Sequence, residues 1–360
     1  MKNINIVLIV SLLCIAPKIS NSCTTFCLDK GGHLVFGKNF GWIQNDGLVF
    51  VNKRGVLKTA RSDGKAGNPV TWTSKYGSVT FNQIGRDLPW GGINETGLVV
   101  EILALYEAKF PPPDERPCIG HVQWVQYQLD NFSKVEEVIE SDSHVRISKP
   151  PQVKGGHYLV CDKTGNCASI EFLNGKLVFH TKKTMPVKVL ANSTYAESIA
   201  FLNDEQNEKS PNAQGNVSLF RFARAAEMLK NYSSRSSQLV IEHAFDIISN
   251  VRGNGIGHVQ GEPLYTQWSI VYDIQNLKVF FHTRGNEGIR YFALSSFDFS
   301  CKTPVAILDI NADLSGDVAN NFTNYTYAAN RDLQKKLLFV PPEEIEKLAN
   351  YPGTTVCLDK

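Results

Sequence analysis

The sequence predicts an α+β fold in which sheets and helices form separate layers. Segments with the alternation or the continuous apolar character of strands come first, up to residue 105. Helical spacing follows at 119–141 and again at 196–250, while strand-like runs return at 156–181 and 267–283. This grouping of like elements differs from the strict β–α–β alternation that builds a parallel sheet.

The first part of the chain is expected to form antiparallel strands. Short segments with strand patterning lie at 24–28, 33–36, 47–52 and 78–83. A hairpin is predicted at 90–105, with its turn at 94–97, where Asn94 and Gly97 are typical turn residues. Its second arm, 98–105, is apolar almost throughout, which indicates a strand buried on both faces.

Helices are expected after the proline run at 111–113, because the apolar spacing changes to that of a helix. The predicted helices span 119–132, 134–141, 196–202, 219–230 and 237–250. Three strands are predicted within 156–181, and a further hairpin at 267–283 turns near Asn276. Because no repeat, low-complexity segment or linker interrupts this order, residues 23–360 are predicted to form one domain.

The first 22 residues have the pattern of a secretory signal peptide. Lys2 precedes an apolar run at 4–16, which is too short to span a bilayer comfortably, and small residues at 20 and 22 form a cleavage site. We therefore expect an exported protein, periplasmic or extracellular, whose mature chain begins with Cys23. The alternative is a lipoprotein acylated at Cys23, although Ser20 stands where lipoprotein signals usually have Leu.

Charge and cysteine content exclude some function classes. The net charge is +2, with no basic stripe and no long run of one sign, so nothing supports nucleic-acid binding. No later apolar run approaches the length of a membrane span, so no membrane contact is expected unless the chain is lipidated. Without a CxxC pair or a histidine cluster, no metal or cofactor is expected.

The cysteines that follow Cys23 suit an oxidising compartment. Six remain in the chain after that residue, which permits three disulfides with fifteen connectivities. Only one pairing has a local argument: Cys161 and Cys167 flank a turn between two predicted strands and can face each other across a hairpin. The other reading is six unpaired thiols.

Cleavage after Ser22 gives Cys23 both a thiol and a free α-amine. The thiolate is the reactive form of cysteine. The amine, with an ordinary pKa of about 8, is a suitable base for the thiol proton at neutral pH. A nucleophile and its base on one residue are the machinery of an N-terminal nucleophile hydrolase.

Several segments carry a resemblance to a known family. Residues 23–26 (CTTF) and 35–42 (VFGKNFGW) resemble the opening of the choloylglycine hydrolase family, which includes penicillin V acylases and conjugated bile-salt hydrolases. Segments with a matching order and approximate spacing lie at 92–98, 189–195, 218–225 and 266–273. The resemblance implies an αββα four-layer sandwich that hydrolyses a linear amide C–N bond.

The resemblance also assigns roles to individual residues. Cys23 is implied as nucleophile and base, and Asn192 as a side-chain donor to the developing oxyanion. A second donor is expected near Ala104 to Tyr106. Arg221 is implied close to the thiol, where it favours the thiolate; Arg224 is the competing choice. Lys38 occupies a position at which the family usually has Arg.

Gly41 is the more serious departure from the family pattern, which usually has Asp at this position. That carboxylate normally receives the hydrogen bonds of the α-amine, and a glycine offers no side chain for the purpose. Asp46, Glu101 or backbone carbonyls are the substitutes that the sequence offers. An exported binding protein that keeps the fold and has weak or no catalysis is therefore the main alternative function.

The expected substrate is a small-molecule N-acyl amide. Trp42, Ala104, Tyr106 and Phe110 are the predicted binding residues, and the aromatic ones favour an apolar or aromatic acyl group. Pocket walls are expected from 42–46, 72–81 and 103–110. The family resemblance also makes a homo-oligomer, specifically a tetramer, an expectation.

Overall fold

A computed structural model describes residues 22–61, 67–148, 155–204, 218–233, 237–259, 261–338, 340–351 and 356–358. Its helices are α1 (Gln123–Asn131), α2 (Val135–Glu140), α3 (Tyr195–Asn203), α4 (Ser218–Asn231), α5 (Ser237–Asn250), α6 (Tyr327–Lys335) and α7 (Pro342–Asn350). Its strands are β1 (Thr24–Lys30), β2 (His33–Trp42), β3 (Leu48–Asn52), β4 (Val56–Thr59), β5 (Thr71–Thr73), β6 (Ser78–Asn82), β7 (Pro89–Asn94), β8 (Val99–Ala104), β9 (Cys118–Gly120), β10 (Arg146–Ser148), β11 (Gly156–Cys161), β12 (Cys167–Leu173), β13 (Lys176–Thr181), β14 (Val189–Leu190), β15 (Asn254–Val259), β16 (Glu262–Asp273), β17 (Lys278–Thr283), β18 (Asn286–Ala293), β19 (Ala306–Asp309), β20 (Gly316–Asp317), β21 (Thr323–Asn324) and β22 (Val356–Cys357).

Two large, mostly antiparallel sheets form the centre of the molecule. The first sheet has the strand order β14-β1-β2-β16-β17-β18-β20, with β15 also paired to β16. The second sheet has the order β13-β12-β11-β8-β7-β6-β3-β19-β21. Their inner faces pack together, as in the contact between Phe81 of β6 and Phe281 of β17, whose ring centroids are 5.6 Å apart.

Helices cover the outer face of each sheet. Helix α5 packs on β2 and β16 and helix α4 on β1, while α1 packs on β7 and β8 of the second sheet. The order of layers is therefore helix, sheet, sheet, helix, which is the αββα sandwich that the family resemblance implied. Strand β8 contributes to both sides of the second sheet, because its side chains point alternately to opposite faces. Val99 and Leu103 belong to the central core, which includes the space between the two sheets, whereas Val100 and Ile102 belong to the outer core beneath α1.

The predicted elements agree with the structure in most of the chain, with one clear error. The helix predicted at 119–132 begins only at Gln123, because Cys118–Gly120 forms β9 and pairs in parallel with β10. Ile119 is fully buried opposite Ile147 of β10. Its apolar side chain suited the helical spacing, but its position is determined by this long-range pairing. Helices α6 and α7 were not predicted.

Two disulfides are present in the described part of the chain. One joins Cys161 and Cys167, which are directly paired residues of β11 and β12, as predicted. The other joins Cys301 to Cys357 and attaches the C-terminal strand β22 beside β4. Cys27 and Cys118 are buried free thiols. No helix among the described residues is both long and apolar enough to cross a membrane.

Candidate active site

Cys23 immediately precedes β1 and is almost completely buried. Its Sγ lies 3.3 Å from the backbone nitrogen of Gly41, which donates to it, and 3.7 Å from the carbonyl oxygen of the same residue. The antiparallel pairing of β1 with β2 brings these two residues together. The backbone of Gly41 therefore contacts the sulfur through both its N–H and its carbonyl oxygen.

Arg221 of α4 connects the Cys23 backbone to Asn192. Its guanidinium donates to the Cys23 carbonyl oxygen, to Thr24 Oγ1 at 2.5 Å and to Asn192 Oδ1 at 2.9 Å. Burial lowers the pKa of Arg221 to about 10, against the opposing effect of Cys23, so the side chain stays charged at neutral pH. The Arg221 guanidinium therefore contacts the backbone of Cys23, and none of these three hydrogen bonds is to the Cys23 sulfur.

Asn192 lies just beyond the end of β14 with its amide oriented at both ends. Its Oδ1 accepts from Arg221, and its Nδ2 donates to the carbonyl oxygen of Ala104 at 2.9 Å. The backbone N–H of Asn192 donates to Ser218 Oγ at 2.7 Å. Since an amide NH₂ has two hydrogens, Ala104 uses one and the second can serve a substrate oxygen. Asn192 and Ala104, predicted separately, thus meet in one place.

Lys38 is on the same face of the first sheet as Cys23, because it pairs with Thr25, two residues along β1. Its Nζ donates to the Ile102 carbonyl at 2.7 Å and lies 3.4 Å from Glu101 Oε2. Burial raises the pKa of Glu101 to about 7, although Lys38 and the Tyr272 hydroxyl oppose that shift. Lys38 therefore links the two sheets in addition to carrying a charge near the site.

Gly41 and Gly253 enclose Ser22. A Cβ built on Gly41 would lie 1.8 Å from Ser22 Oγ, and one built on Gly253 would lie 2.2 Å from Ser22 Cβ. A side chain at residue 41 would overlap with Ser22 while Ser22 remains attached to Cys23. Ser22 therefore occupies the space that the side chain of an Asp at residue 41 would need.

Neither carboxylate offered as a substitute for that Asp is free. Asp46 forms an ion pair with Lys336 at 2.9 Å, and Glu101 contacts Lys38 and the Tyr272 hydroxyl. The Gly41 carbonyl oxygen lies 3.7 Å from the thiol sulfur. Of the three options, both carboxylates are already paired, which leaves the backbone carbonyls.

The predicted binding residues divide between two regions. Trp42, at the end of β2, faces Trp90 with ring centroids 6.1 Å apart, close to the nucleophile along the strand. Tyr106 follows β8 near Ala104 and is half-buried. Phe110 packs instead against Phe172 at 5.4 Å, in the outer core.

Part of one predicted pocket wall is also placed elsewhere. Trp72, the first residue of the segment 72–81, is buried in the outer core and donates to Asp130 at 2.8 Å. Phe81, at the other end of that segment, belongs to the central core. The outer-core packing of Trp72 depends on α1, which sequence patterning alone does not place.

A cavity lies just beyond the end of β2, and two of its lining residues belong to the pocket wall predicted at 42–46. Its volume is about 370 Å³, and its lining residues are Ile43, Asn45, Gln267, Arg284 and Gly285. It begins two residues beyond Gly41 on β2, and Gln267 follows Thr266, the partner of Gly41 on β16. At about 3.3 Å per strand residue, the cavity is within reach of a small molecule bound at the thiol.

Arg284 gives this cavity a positive charge. Its guanidinium lies 3.7 Å from the ring centre of Tyr265, and no carboxylate of the described chain is within ion-pair distance of it. Arg284 directly follows Thr283, the last residue of β17. The only available sequence signal was a cation at the end of a predicted hairpin strand, which is common in surface turns.

Comparison with known proteins assigns the family. Residues 23–307 match the linear amide C–N hydrolases, choloylglycine hydrolase family, so the match begins at Cys23. The chain belongs to this family. It is therefore a hydrolase of linear amide C–N bonds, and the αββα arrangement is that of its relatives.

Similar proteins include two penicillin V acylases. One, from Pectobacterium atrosepticum, is 28% identical over 274 residues, which cover 67% of this chain and 72% of that protein. The structure of the other, from Agrobacterium tumefaciens, has a TM-score of 0.73 and 25% identity, covering 84% of this chain and 98% of that one. A conjugated bile acid hydrolase variant from Clostridium perfringens shares the fold, with a TM-score of 0.67, 22% identity and coverage of 81% and 98%.

Proposed function

We propose that this hydrolase becomes active when cleavage after Ser22 frees the α-amine of Cys23, and that it then hydrolyses an N-acylated small molecule. The observation that carries the proposal is the connected set of Cys23, Arg221 and Asn192 around one buried thiol. Export of the chain, which precedes this cleavage, is part of the same proposal. A homo-oligomer remains an expectation of the family resemblance.

In the first half of the reaction the α-amine accepts the thiol proton and the thiolate attacks the amide carbonyl carbon. The second hydrogen of the Asn192 NH₂ donates to the developing oxyanion, a contribution commonly worth several kcal/mol. The protonated amine then gives its proton to the departing nitrogen. The products of this half are a free amine and a thioester on Cys23.

In the second half a water molecule hydrolyses the thioester. The α-amine takes a proton from that water, the acyl group leaves as a carboxylic acid, and the thiol is restored. Arg221 fixes the Cys23 carbonyl and the Asn192 amide throughout, so the nucleophile and the oxyanion donor keep their relative positions.

We further propose that the substrate carries an anionic group that binds in the Arg284 cavity. The similar proteins are named for penicillin V and for conjugated bile acids, and such substrates combine an amide with an acidic group. Guanidinium groups bind carboxylates through two parallel hydrogen bonds. Arg284→Gln should therefore raise KM for amides with a carboxylate and leave KM for neutral amides unchanged.

The test compares three proteins that begin at residue 23: the parent, Cys23→Ser and Cys27→Ser. Cys27 is also a buried free thiol, on the same face of β1, which makes it a matched control. We expect the parent and Cys27→Ser to release amine from a panel of N-acyl amides and Cys23→Ser to release none. Iodoacetamide should modify Cys23 and abolish that activity.

Two results would support the alternatives. Absence of turnover by the parent on every amide, together with an unreactive Cys23, would favour a binding protein. A mass increase of a diacylglyceryl group on an N-terminally blocked Cys23 would establish a lipoprotein and end the hydrolase mechanism, since no free amine would remain.

A further inference from the structure

We propose that His157 and Glu171 form a buried proton-sharing pair that positions Asn192, the oxyanion donor of the proposed mechanism. Neither residue touches the nucleophile, so the role is that of a positioning pair. Its catalytic consequence rests on the proposed hydrolysis, whereas its protonation can be measured without any substrate.

The two side chains lie on neighbouring strands of the second sheet and face its interior. His157 is on β11 and Glu171 on β12, and both side chains are completely buried, at 0% exposure. His157 Nδ1 is 2.9 Å from Glu171 Oε1, and His157 Nε2 is 2.7 Å from the carbonyl oxygen of Ala191. Glu171 Oε1 also accepts the backbone N–H of Tyr195 at 2.9 Å.

These contacts determine how many protons the pair holds. A carbonyl oxygen only accepts, so the Ala191 contact requires a hydrogen on Nε2. The contact between Nδ1 and Oε1 requires a second proton, and the Tyr195 N–H already donates to that oxygen. A neutral imidazole beside a carboxylate has only one proton for these two contacts. The pair therefore holds two protons, one on Nε2 and one between Nδ1 and Oε1, either as an ion pair or as a neutral imidazole beside a carboxylic acid.

The pair holds the segment that carries Asn192 at two points. Ala191 directly precedes Asn192, and Tyr195 begins helix α3 three residues after it. Both attachments end on the second sheet, which also provides Ala104, the acceptor of the Asn192 side chain. Hydrogen bonds inside a protein are costly to leave unmade, so loss of one contact should shift the whole segment.

Glu171→Gln is the sharpest substitution, because it keeps size and shape but removes a proton acceptor. With the amide oxygen at the Oε1 position, His157 must carry an uncompensated charge or lose its bond to Ala191. With the amide nitrogen at the Oε1 position, the side-chain NH₂ of the new glutamine and the backbone N–H of Tyr195 are two donors that face each other. No neutral arrangement satisfies all three contacts.

Ser169→Ala is the matched control. Ser169 lies two residues earlier on β12, faces the same interior and is fully buried, and its hydroxyl has no hydrogen-bond partner in the described chain. It shares the surroundings of Glu171 without a hydrogen bond to the Asn192 segment. A general effect of altering the interior of β12 would appear in both variants.

The kinetic test measures kcat and KM on an amide that the parent hydrolyses. Removing an oxyanion donor commonly costs about 100- to 1,000-fold in kcat. Because Glu171→Gln displaces the donor without removing it, we expect a loss of about 10- to 100-fold in kcat with KM within twofold. Ser169→Ala should change neither constant.

The second test needs neither turnover nor a variant of the pair. In ¹⁵N-labelled Cys23→Ala protein at neutral pH, His157 Nε2 should have the chemical shift of a protonated nitrogen, and the hydrogen between Nδ1 and Glu171 Oε1 should give a slowly exchanging low-field resonance. An unprotonated Nε2, or the absence of that low-field resonance, overturns the proposal, even if Glu171→Gln fails to fold. So does an equal loss of kcat in both variants, or an effect of Glu171→Gln confined to KM. A protein without amidase activity that still shows both of these hydrogens would refute the hydrolase function but confirm the proton-sharing pair.

Discussion

Arg221 makes three contacts that a different cation cannot reproduce. A planar guanidinium reaches the Cys23 carbonyl, Thr24 and Asn192 at once, whereas a lysine ammonium is a compact charge on a flexible stem. We expect Arg221→Lys to lower kcat by about 10- to 100-fold, since the oxyanion donor loses its anchor.

Arg224→Lys provides the comparison for that experiment. Arg224 is on the same helix, but its guanidinium is exposed and donates to the Asn250 carbonyl at 2.8 Å. Its substitution should leave kcat unchanged. A smaller loss for Arg221→Lys than for Arg224→Lys would mean that the wrong arginine has been assigned to the site.

Gly41 leads to a prediction that depends on whether residue 22 is present. A side chain at residue 41 overlaps with Ser22, and forced overpacking typically costs about 1–3 kcal/mol. Gly41→Asp should therefore lower the free energy of unfolding by that amount in protein that retains Ser22. In protein that begins at Cys23 the same substitution should be tolerated, because the three atoms nearest to a Cβ at residue 41 all belong to Ser22.

Urea unfolding of the two forms measures this difference. Gly120→Ala serves as a control in both, since a Cβ at Gly120 has no neighbour within 4 Å. An equal cost of Gly41→Asp with and without Ser22 would show that something other than Ser22 excludes the side chain.

At the scale of elements, one buried group joins the two sheets and makes stability depend on pH. Glu101 of β8 contacts Lys38 of β2 and Tyr272 of β16. Its pKa is about 7 in the folded chain, against an ordinary value of 4.5, so the folded state retains a proton that the unfolded state releases. This group therefore reduces stability as pH rises from about 4.5 to 7, by about 3 kcal/mol over the whole range.

Glu101→Gln removes that titration. Other buried groups titrate as well, so the measured quantity is the difference in unfolding free energy between Glu101→Gln and the parent at pH 5 and at pH 8. We expect the parent to lose about 2–3 kcal/mol relative to Glu101→Gln between these values. Parallel pH profiles of the two proteins would contradict the assignment.

The elements also show where sequence patterning works. The hairpin at 90–105 is regular because its turn residues and its apolar arm agree with each other, and the structure places β7 and β8 there. Cys118–Gly120 was misassigned because a three-residue strand has no period of its own. Its conformation follows from pairing with β10, which is distant in sequence.

At the scale of the whole molecule, the disulfides close loops of different lengths. Cys301 and Cys357 are 56 residues apart, and Cys161 and Cys167 are 6 apart. On the chain-entropy account, the longer loop contributes about 4 kcal/mol and the shorter about 2 kcal/mol. The double substitution Cys301→Ala with Cys357→Ala should therefore cost about 4 kcal/mol of unfolding free energy.

Activity should survive that substitution, because the bond joins Cys301 to β22, and β22 belongs to the small sheet of β4 and β5, which is separate from the strands next to Cys23 and Asn192. Thermal unfolding and kcat of the same preparation measure both effects. A loss of kcat without a loss of stability would indicate that the C-terminal segment contributes to the site.

The sequence by itself determined the chemistry that this chain offers and most of the elements that carry it. The local signals were a cysteine after a segment patterned as a signal peptide, the periodicity of strands and helices, and short segments in family order. They were enough to propose Cys23, Asn192, Arg221 and Lys38 together.

Only the tertiary structure decided which groups meet. The contact of Asn192 with Ala104, the enclosure of Ser22 by Gly41 and Gly253, and the cavity at Arg284 join residues distant in sequence. The proton shared by His157 and Glu171 is also decided by the tertiary structure. The sequence pattern does not link these two residues, and they share a proton only because burial excludes water and brings their side chains into contact. The local sequence pattern determines secondary structure, whereas contacts between residues distant in sequence depend on how the layers pack.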